Sequence, residues 1–255
     1  MRQRKPLHFG DAATPKGAIL DLDGTLIRDG YTMPGAMELL EHFAGRFVIA
    51  SNNSTETGDS LSMRLARLDL HVPQDRFILA GQETLRLISE QYPGAPITLL
   101  ASAALTDHAS MLGLHPTADS GEIVVLCRDT TFDYTKLRRV SDLLRRGAAF
   151  FVANPDLTHP GTNGTQIPET GALLAAITAS AGPVRTVIVG KPEPHLYNEA
   201  LARLGLAPQE TVMIGDNPET DVAGADALGI RALLIGPHSR AEASDLVTLL
   251  DRLKD

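Results

Sequence analysis

Two aspartates, Asp21 and Asp23, stand two residues apart in AILDLDGT, directly after a short apolar run. Acidic side chains are poor strand formers, and carboxylates gathered near a core repel one another unless a cation joins them. Further along come Ser51, Asn52 and Asn53 in SNN, Lys191 in GKPEP, and Asp216, Asn217 and Asp221 in GDNPETD. Asp21, Asp23 and Asp216 offer hard oxygen ligands of the kind Mg²⁺ takes, and Mg²⁺ readily shares its shell with a phosphate. Lys191 adds a compact positive charge and Ser51 a hydroxyl. The turn at Gly24 can aim backbone N–H groups at an anion. These groups describe a cradle for a phosphoryl group, with carboxylates to spare for nucleophilic and acid–base work.

A calcium loop is the competing reading of DLDGTLIRDGYT. Such a loop needs Gly at its sixth place and Glu at its twelfth, where this chain has Leu26 and Thr32, and it follows a helix rather than a strand. It is rejected.

Eight short runs read as strands: GAILDLD, RFVIAS, ITLL, EIVVLC, AAFFVA, RTVIVG, TVMIGD and RALLIG. Between them apolar residues recur at helical spacing, as in Leu137, Val140 and Leu144 or Leu196, Ala200 and Leu204. Near-continuous apolar strands alternating with helices imply an α/β fold with a parallel sheet covered on both faces. Asp21 and Asp23, Ser51 and Asn52, Lys191, and Asp216 all follow such strands. Ligands of open parallel sheets bind at the carboxyl ends of strands, so the four clusters are expected to share one crevice.

Composition narrows the partners. At 255 residues and 43% hydrophobic, the chain can form one large domain or two small ones. A net charge of −8 argues against a nucleic-acid partner or an anionic membrane surface. No apolar run approaches the ~18 residues of a membrane span. The basic N-terminus MRQRKPLHFG lacks the apolar stretch of a signal peptide. Cys127 is the single cysteine, which excludes an internal disulfide and fits a reducing cytoplasm. Its setting in EIVVLC reads as a buried strand thiol.

In order and in placement at strand ends, DLDGT, SNN, GKPEP and GDNPETD resemble the four motifs of the haloacid dehalogenase (HAD) superfamily. The resemblance extends over essentially the whole chain. It implies a Rossmann-like parallel-sheet core and Mg²⁺-dependent hydrolysis of a small phosphorylated metabolite through an aspartyl-phosphate. Carried over residue by residue, Asp21 is the nucleophile and Asp23 the general acid, then the general base. Gly24, Ser51, Asn52, Asn53 and Lys191 bind the phosphoryl group. Asp21, Asp23 and Asp216 hold the metal, supported by Asp221 and Asn217. Branches of the superfamily that do other chemistry usually lack an acid at the place of Asp23, so this residue favours phosphate monoesters. A phosphomutase or phosphotransferase shares the acid pair, but its cap generally lies between the first two motifs. A receiver-type phospho-accepting module is shorter, uncapped and without the second acid.

The stretch from Asp21 to Ser51 has room for a turn and one helix. That from Ser51 to Lys191 is far longer than one helix and strand require. A second α/β domain is therefore expected at 80–184, inserted into a catalytic core of 1–79 and 185–255, with hinges near Gly81 and Gly182–Pro183. An insert there resembles the type-two cap of subclass IIA, the NagD-like, p-nitrophenylphosphatase, pyridoxal phosphate phosphatase and phosphoglycolate phosphatase group. Relatives cleave pyridoxal phosphate, phosphoglycolate, nucleotides, and sugar or glycerol phosphates, and the sequence does not choose among them. Caps of this type often pair in relatives, so the resemblance leaves a homodimer open. In the cap, Asn154, Asp156, His159 and Asn163 crowd a turn-rich segment after a strand. They read either as substrate-selecting groups or as an ordinary Asx-rich turn.

Overall fold

A computed structural model describes residues 14–117, 121–161 and 165–254; the basic N-terminal decapeptide and Asn163 lie outside them. The chain divides into two units. One comprises Met1–Ser51, Ser62–Ile78 and Tyr197–Asp255, the other Asn52–Leu61 and Leu79–Leu196.

The first unit is built on a five-stranded sheet. Its strands are β1 (Gly17–Leu20), β4 (Phe47–Ser51), β5 (Phe77–Leu79), β13 (Thr211–Gly215) and β14 (Arg231–Leu234), in the order β14-β13-β1-β4-β5. Every residue of β1, β4 and β13 is buried, as their unbroken apolar sequences require of parallel strands covered on both faces. Leu20 pairs with Ile214 on one side and Ile49 on the other, so Asp21, Asp216 and Ser51 emerge at the same edge. The chain leaves β1 for β4 on one flank and returns as β13 on the other. That reversal makes the end of β1 a topological switch point, where a parallel sheet opens a crevice.

Directly after β1 comes a feature the sequence reading had not proposed, a two-stranded hairpin of β2 (Ile27–Arg28) and β3 (Tyr31–Thr32). Asp29 and Gly30 join them, both at positive φ (53° and 80°). This is the geometry an Asp-Gly pair adopts in a tight hairpin turn. The second half of DLDGTLIRDGYT thus serves a turn, not a cation.

The second unit has its own parallel sheet, of β6 (Pro96–Leu100), β7 (His115–Pro116), β8 (Ile123–Leu126), β9 (Ala149–Val152) and β12 (Thr186–Ile188). Their order is β12-β9-β8-β6-β7. A short antiparallel pair, β10 (Thr158–Pro160) and β11 (Gln166–Pro168), accompanies it. The sheet packs on the helices Tyr134–Arg145 and Thr170–Ala181. Val140, Leu143, Leu144 and Ile177 bury their side chains against Val124, Leu126, Phe150 and Val152. Asp133 caps the first of these helices, accepting the Lys136 N–H at 2.8 Å.

All eight expected strands form, but one joins a different sheet from the one expected. β12, which precedes Lys191, pairs with β9 of the second sheet. Val189 and Gly190 extend that ladder, donating to Val152 and Ala153 carbonyls at 3.0 and 2.7 Å. Lys191 therefore belongs to the second unit together with residues 52–61, and the division differs from the expected 80–184. Apolar pattern marks a parallel strand without saying which free edge it will join.

Cys127 follows β8 in the second unit and is fully buried; burial pushes its thiol up to about 12. The native protein is expected to leave an aromatic disulfide reagent untouched at pH 8, and to react once per chain after denaturation. Prompt reaction of the native thiol would mean that this strand end is open to solvent.

Candidate active site

At the switch point, Asp21, Asp216 and Asp221 each offer a carboxylate oxygen, and the three atoms lie within 4.8 Å of one another. At an effective dielectric of ~20, two full charges at 4.8 Å repel by about 3 kcal/mol. Such a set is stable as anions when a cation sits among them, and three hard oxygen donors suit Mg²⁺. Arg28 offsets part of the charge. Its guanidinium donates to Asp216 Oδ2 at 3.2 Å and to the Gly24 carbonyl at 3.0 Å.

Local sequence explains how the carboxylates come so close. Gly24 lies at φ +92°, and a Cβ there would fall 2.1 Å from Asp216 Oδ2. A Cβ on Gly215 would fall 2.1 Å from Asp221 Oδ2. Both glycines are therefore required by space, and at Gly24 by backbone conformation as well. Asp221 is carried on a wide helical turn, Pro218–Val222, that begins at Asn217. The Asn217 side chain accepts the Glu219 N–H at 2.9 Å, while its own N–H donates to Asp221 Oδ2 at 3.0 Å. Fully buried Tyr197 holds the same turn, donating to the Thr220 carbonyl at 2.6 Å.

The trio holds Asp21 and Asp216, two of the residues expected at the metal, together with Asp221, expected to support it; Asp23 is exposed and lies outside the trio. The reason is that β1 ends at Leu20. Leu22 accepts the N–H groups of Leu26 and Ile27, so the chain is already turning and the two-residue period of a strand no longer aligns Asp23 with Asp21. Ser51 is buried at the end of β4.

The second unit gathers a different set. Lys191 is buried, and the Asn52 side chain accepts its N–H at 2.7 Å and donates to its carbonyl at 3.0 Å. The same Asn52 amide donates to Asp156 Oδ2 at 3.0 Å. Asn154 is fully buried. It donates to the Asn52 carbonyl, Ser54 Oγ and Thr170 Oγ1 at 2.8–3.2 Å, and accepts the Asp156 N–H. Asn53 accepts the N–H groups of Thr55 and Glu56 at 3.0 and 2.9 Å, closing an Asx turn. The side chains of Asn52, Asn53 and Asn154 thus each hydrogen-bond within the second unit. A fully buried amide such as that of Asn154 must find partners, and it finds them next door.

His159 lies on β10. Its Nδ1 lies 2.6 Å from Glu169 Oε1, and Arg128 approaches the same oxygen at 3.3 Å. Burial raises the Glu169 pKa above the usual carboxylate range, while Arg128 and His159 pull it back down. The sequence reading missed Arg28, Tyr197, Arg128 and Glu169. None carries a motif, and only the fold brings each to its partner. His238 is exposed in the first unit, its ring Nε2 2.9 Å from the Asp216 carbonyl.

A family model of haloacid dehalogenase-like hydrolases matches residues 18–115, and a second of HAD-hydrolase-like proteins matches residues 188–251. Dihydroxyacetone phosphatase of Corynebacterium glutamicum is 31% identical over 220 residues, 85% of this chain and 79% of that protein. Among solved structures, 4-nitrophenylphosphatase of Thermotoga maritima aligns with a TM-score of 0.86 at 28% identity, covering 93% of this chain and 97% of that one. Glycerol phosphate phosphatase of Mycobacterium tuberculosis, solved in complex with magnesium, aligns at 0.80 and 28% identity, covering 88% and 70%.

Replacing Gly24 by Ala tests the carboxylate cluster. The added Cβ must displace Asp216, so Mg²⁺ binding followed by calorimetry is expected to weaken by about tenfold or more with the circular dichroism unchanged. Unaltered binding would remove Asp216 from the metal site.

Proposed function

Because the chain belongs to the haloacid dehalogenase-like hydrolase family, we propose that it is a Mg²⁺-dependent phosphatase acting on small phosphate monoesters through an aspartyl-phosphate. The observation that carries the reading is the convergence of Asp21, Asp216 and Asp221 at the switch point of a parallel sheet. The reading assigns the metal to those three carboxylates, where bound Mg²⁺ supplies positive charge against the phosphoryl oxygens.

Asp21, buried at the end of β1, is the nucleophile. Its carboxylate oxygen bonds to phosphorus as the bond from phosphorus to the ester oxygen breaks. Asp23 donates a proton to that departing oxygen, so the alcohol leaves neutral. The ionised Asp23 then takes a proton from water, whose oxygen attacks phosphorus, releasing phosphate and restoring Asp21. Exposure suits Asp23 to this work, since an acid–base group must reach both the leaving group and water. Ser51 contributes a hydroxyl and Lys191 an ammonium to the phosphoryl group, offsetting its charge in the transition state. Asn217 supports the metal site by holding Asp221.

For the substrate, we favour three-carbon polyol or sugar phosphates. The relatives named for dihydroxyacetone and glycerol phosphate support this class. His159, paired with Glu169 and Arg128, is the group we assign to selecting the leaving group, since hydrogen bonds to substrate hydroxyls discriminate well. The single thiol fits a cytoplasmic enzyme. Among the described residues, no helix is long and apolar enough to cross a membrane.

Specificity constants across dihydroxyacetone phosphate, glycerol phosphate, phosphoglycolate, pyridoxal phosphate, nucleoside monophosphates and p-nitrophenyl phosphate test the reading. We expect hydrolysis that stops on chelation and returns with Mg²⁺, with the three-carbon esters ranked above the aromatic metabolites. Activity that survives chelation, or a nucleotide ranked first, would refute it. Asp21→Asn should abolish turnover in a folded protein, because an amide is a poor nucleophile toward phosphorus; full activity there would demand another mechanism. In Asp23→Asn, alkyl esters should lose far more activity than p-nitrophenyl phosphate, whose leaving group needs no proton. Equal losses for both would take the acid–base role away from Asp23.

A further inference from the structure

We propose that Asn52 is the positioning residue of Lys191, fixing the lysine's backbone so that its ammonium is delivered in one place. The proposal rests on the phosphatase reading for the lysine's role, and on the following geometry for its own. β12 ends at Ile188, and its ladder with β9 continues only through the N–H groups of Val189 and Gly190. At Lys191 a side chain takes over from the strand. The Asn52 carboxamide accepts the Lys191 N–H at 2.7 Å and donates to the Lys191 carbonyl at 3.0 Å. One amide thereby satisfies both backbone groups of a residue far away in sequence, as a neighbouring strand would.

The clamp is built, not incidental. A Cβ on Gly190 would fall 2.6 Å from Asn52 Oδ1 and 2.5 Å from the Ala153 carbonyl, so only glycine lets the amide close on its neighbour. Asn52 is itself held from behind, since its carbonyl accepts from the buried Asn154 amide at 2.8 Å. Its Nδ2 also donates to Asp156 Oδ2 at 3.0 Å, on the stretch that leads into β10 and His159. The lysine's backbone and the stretch carrying Asp156 therefore share one hydrogen-bonding group.

The consequence lies in the flexibility of lysine. Four methylenes separate its charge from its backbone, and every degree of freedom left in the backbone spreads the ammonium over more positions. Charge stabilisation works through preorganisation, so a looser backbone weakens it without removing any group that touches substrate. Asn52→Ala takes away both backbone partners at once and leaves the ammonium in place. Asp156→Ala removes the outer hold on the amide and leaves both of the amide's bonds to the Lys191 backbone available.

A double-mutant cycle tests this, with p-nitrophenyl phosphate as substrate and Mg²⁺ saturating. Asn52→Ala should lower kcat/KM by about tenfold or more in the otherwise native protein, and by about threefold or less when Lys191 is already alanine. Asp156→Ala should show a smaller loss, again confined to the background that keeps Lys191. This second variant decides the matter if Asn52→Ala does not fold. The same factor in both backgrounds would show that Asn52 does not act through the lysine and would overturn the proposal. A fully active Lys191→Ala protein would instead refute the catalytic reading of Lys191. In that event amide hydrogen exchange at Lys191 still tests the clamp. Exchange should quicken in Asn52→Ala, or in Asp156→Ala should the first not fold, and unchanged exchange overturns the proposal.

Discussion

Mutual repulsion among Asp21, Asp216 and Asp221 is the constraint around which the first unit is arranged. Three carboxylates within 4.8 Å repel one another, and Arg28 offsets only part of that charge, so the surrounding structure must hold them together. It does so by register and by glycine. Leu20, Ile49 and Ile214 align, which brings the residues that follow them to one edge of a fully buried sheet. Gly24 and Gly215 then clear the space the carboxylates occupy. The wide turn at Pro218–Val222, pinned by Tyr197, returns Asp221 to the end of its own strand. The energy of packing β1, β4 and β13 is thus set against the electrostatic cost of the site, an arrangement expected where function opposes stability.

The second unit solves a different problem. There the difficulty is polar burial, because Asn52, Ser54, Asn154, Thr170 and Lys191 all bring hydrogen-bonding groups into a region of low exposure. They satisfy one another. Ser54 Oγ alone meets Thr170 Oγ1, the Arg128 N–H and the Asn154 amide at 2.9–3.1 Å. A network of this kind is stiff, since Ser54, Asn154 and Thr170 are each fixed by two or more others. Stiffness is useful beneath a lysine whose long side chain has none of its own.

Side-chain partners and local turns lie beyond what motif spacing expresses. The SNN motif points Asn52 and Asn53 at phosphate, and a turn-rich stretch points Asn154 at substrate; in the folded chain each of these side chains also has a partner within the second unit. Asp21 and Asp23 would face the same way on a continuing strand, but the backbone turns at Leu22.

The sequence by itself determined the α/β class and the eight main strands, because unbroken apolar runs alternating with helical periodicity permit little else. It also determined Asp21 and Asp216 as members of the carboxylate site, since acids at the ends of buried parallel strands need a cation to justify them. Only the tertiary structure decided that Asp221 completes the set, that β12 joins β9, and that Arg28, Tyr197, Arg128 and Glu169 meet the partners they do. Those contacts join residues far apart in the chain. Local propensity and spacing hold no information about which distant group arrives, for that is settled by the register of the sheets and by the space that glycine leaves open.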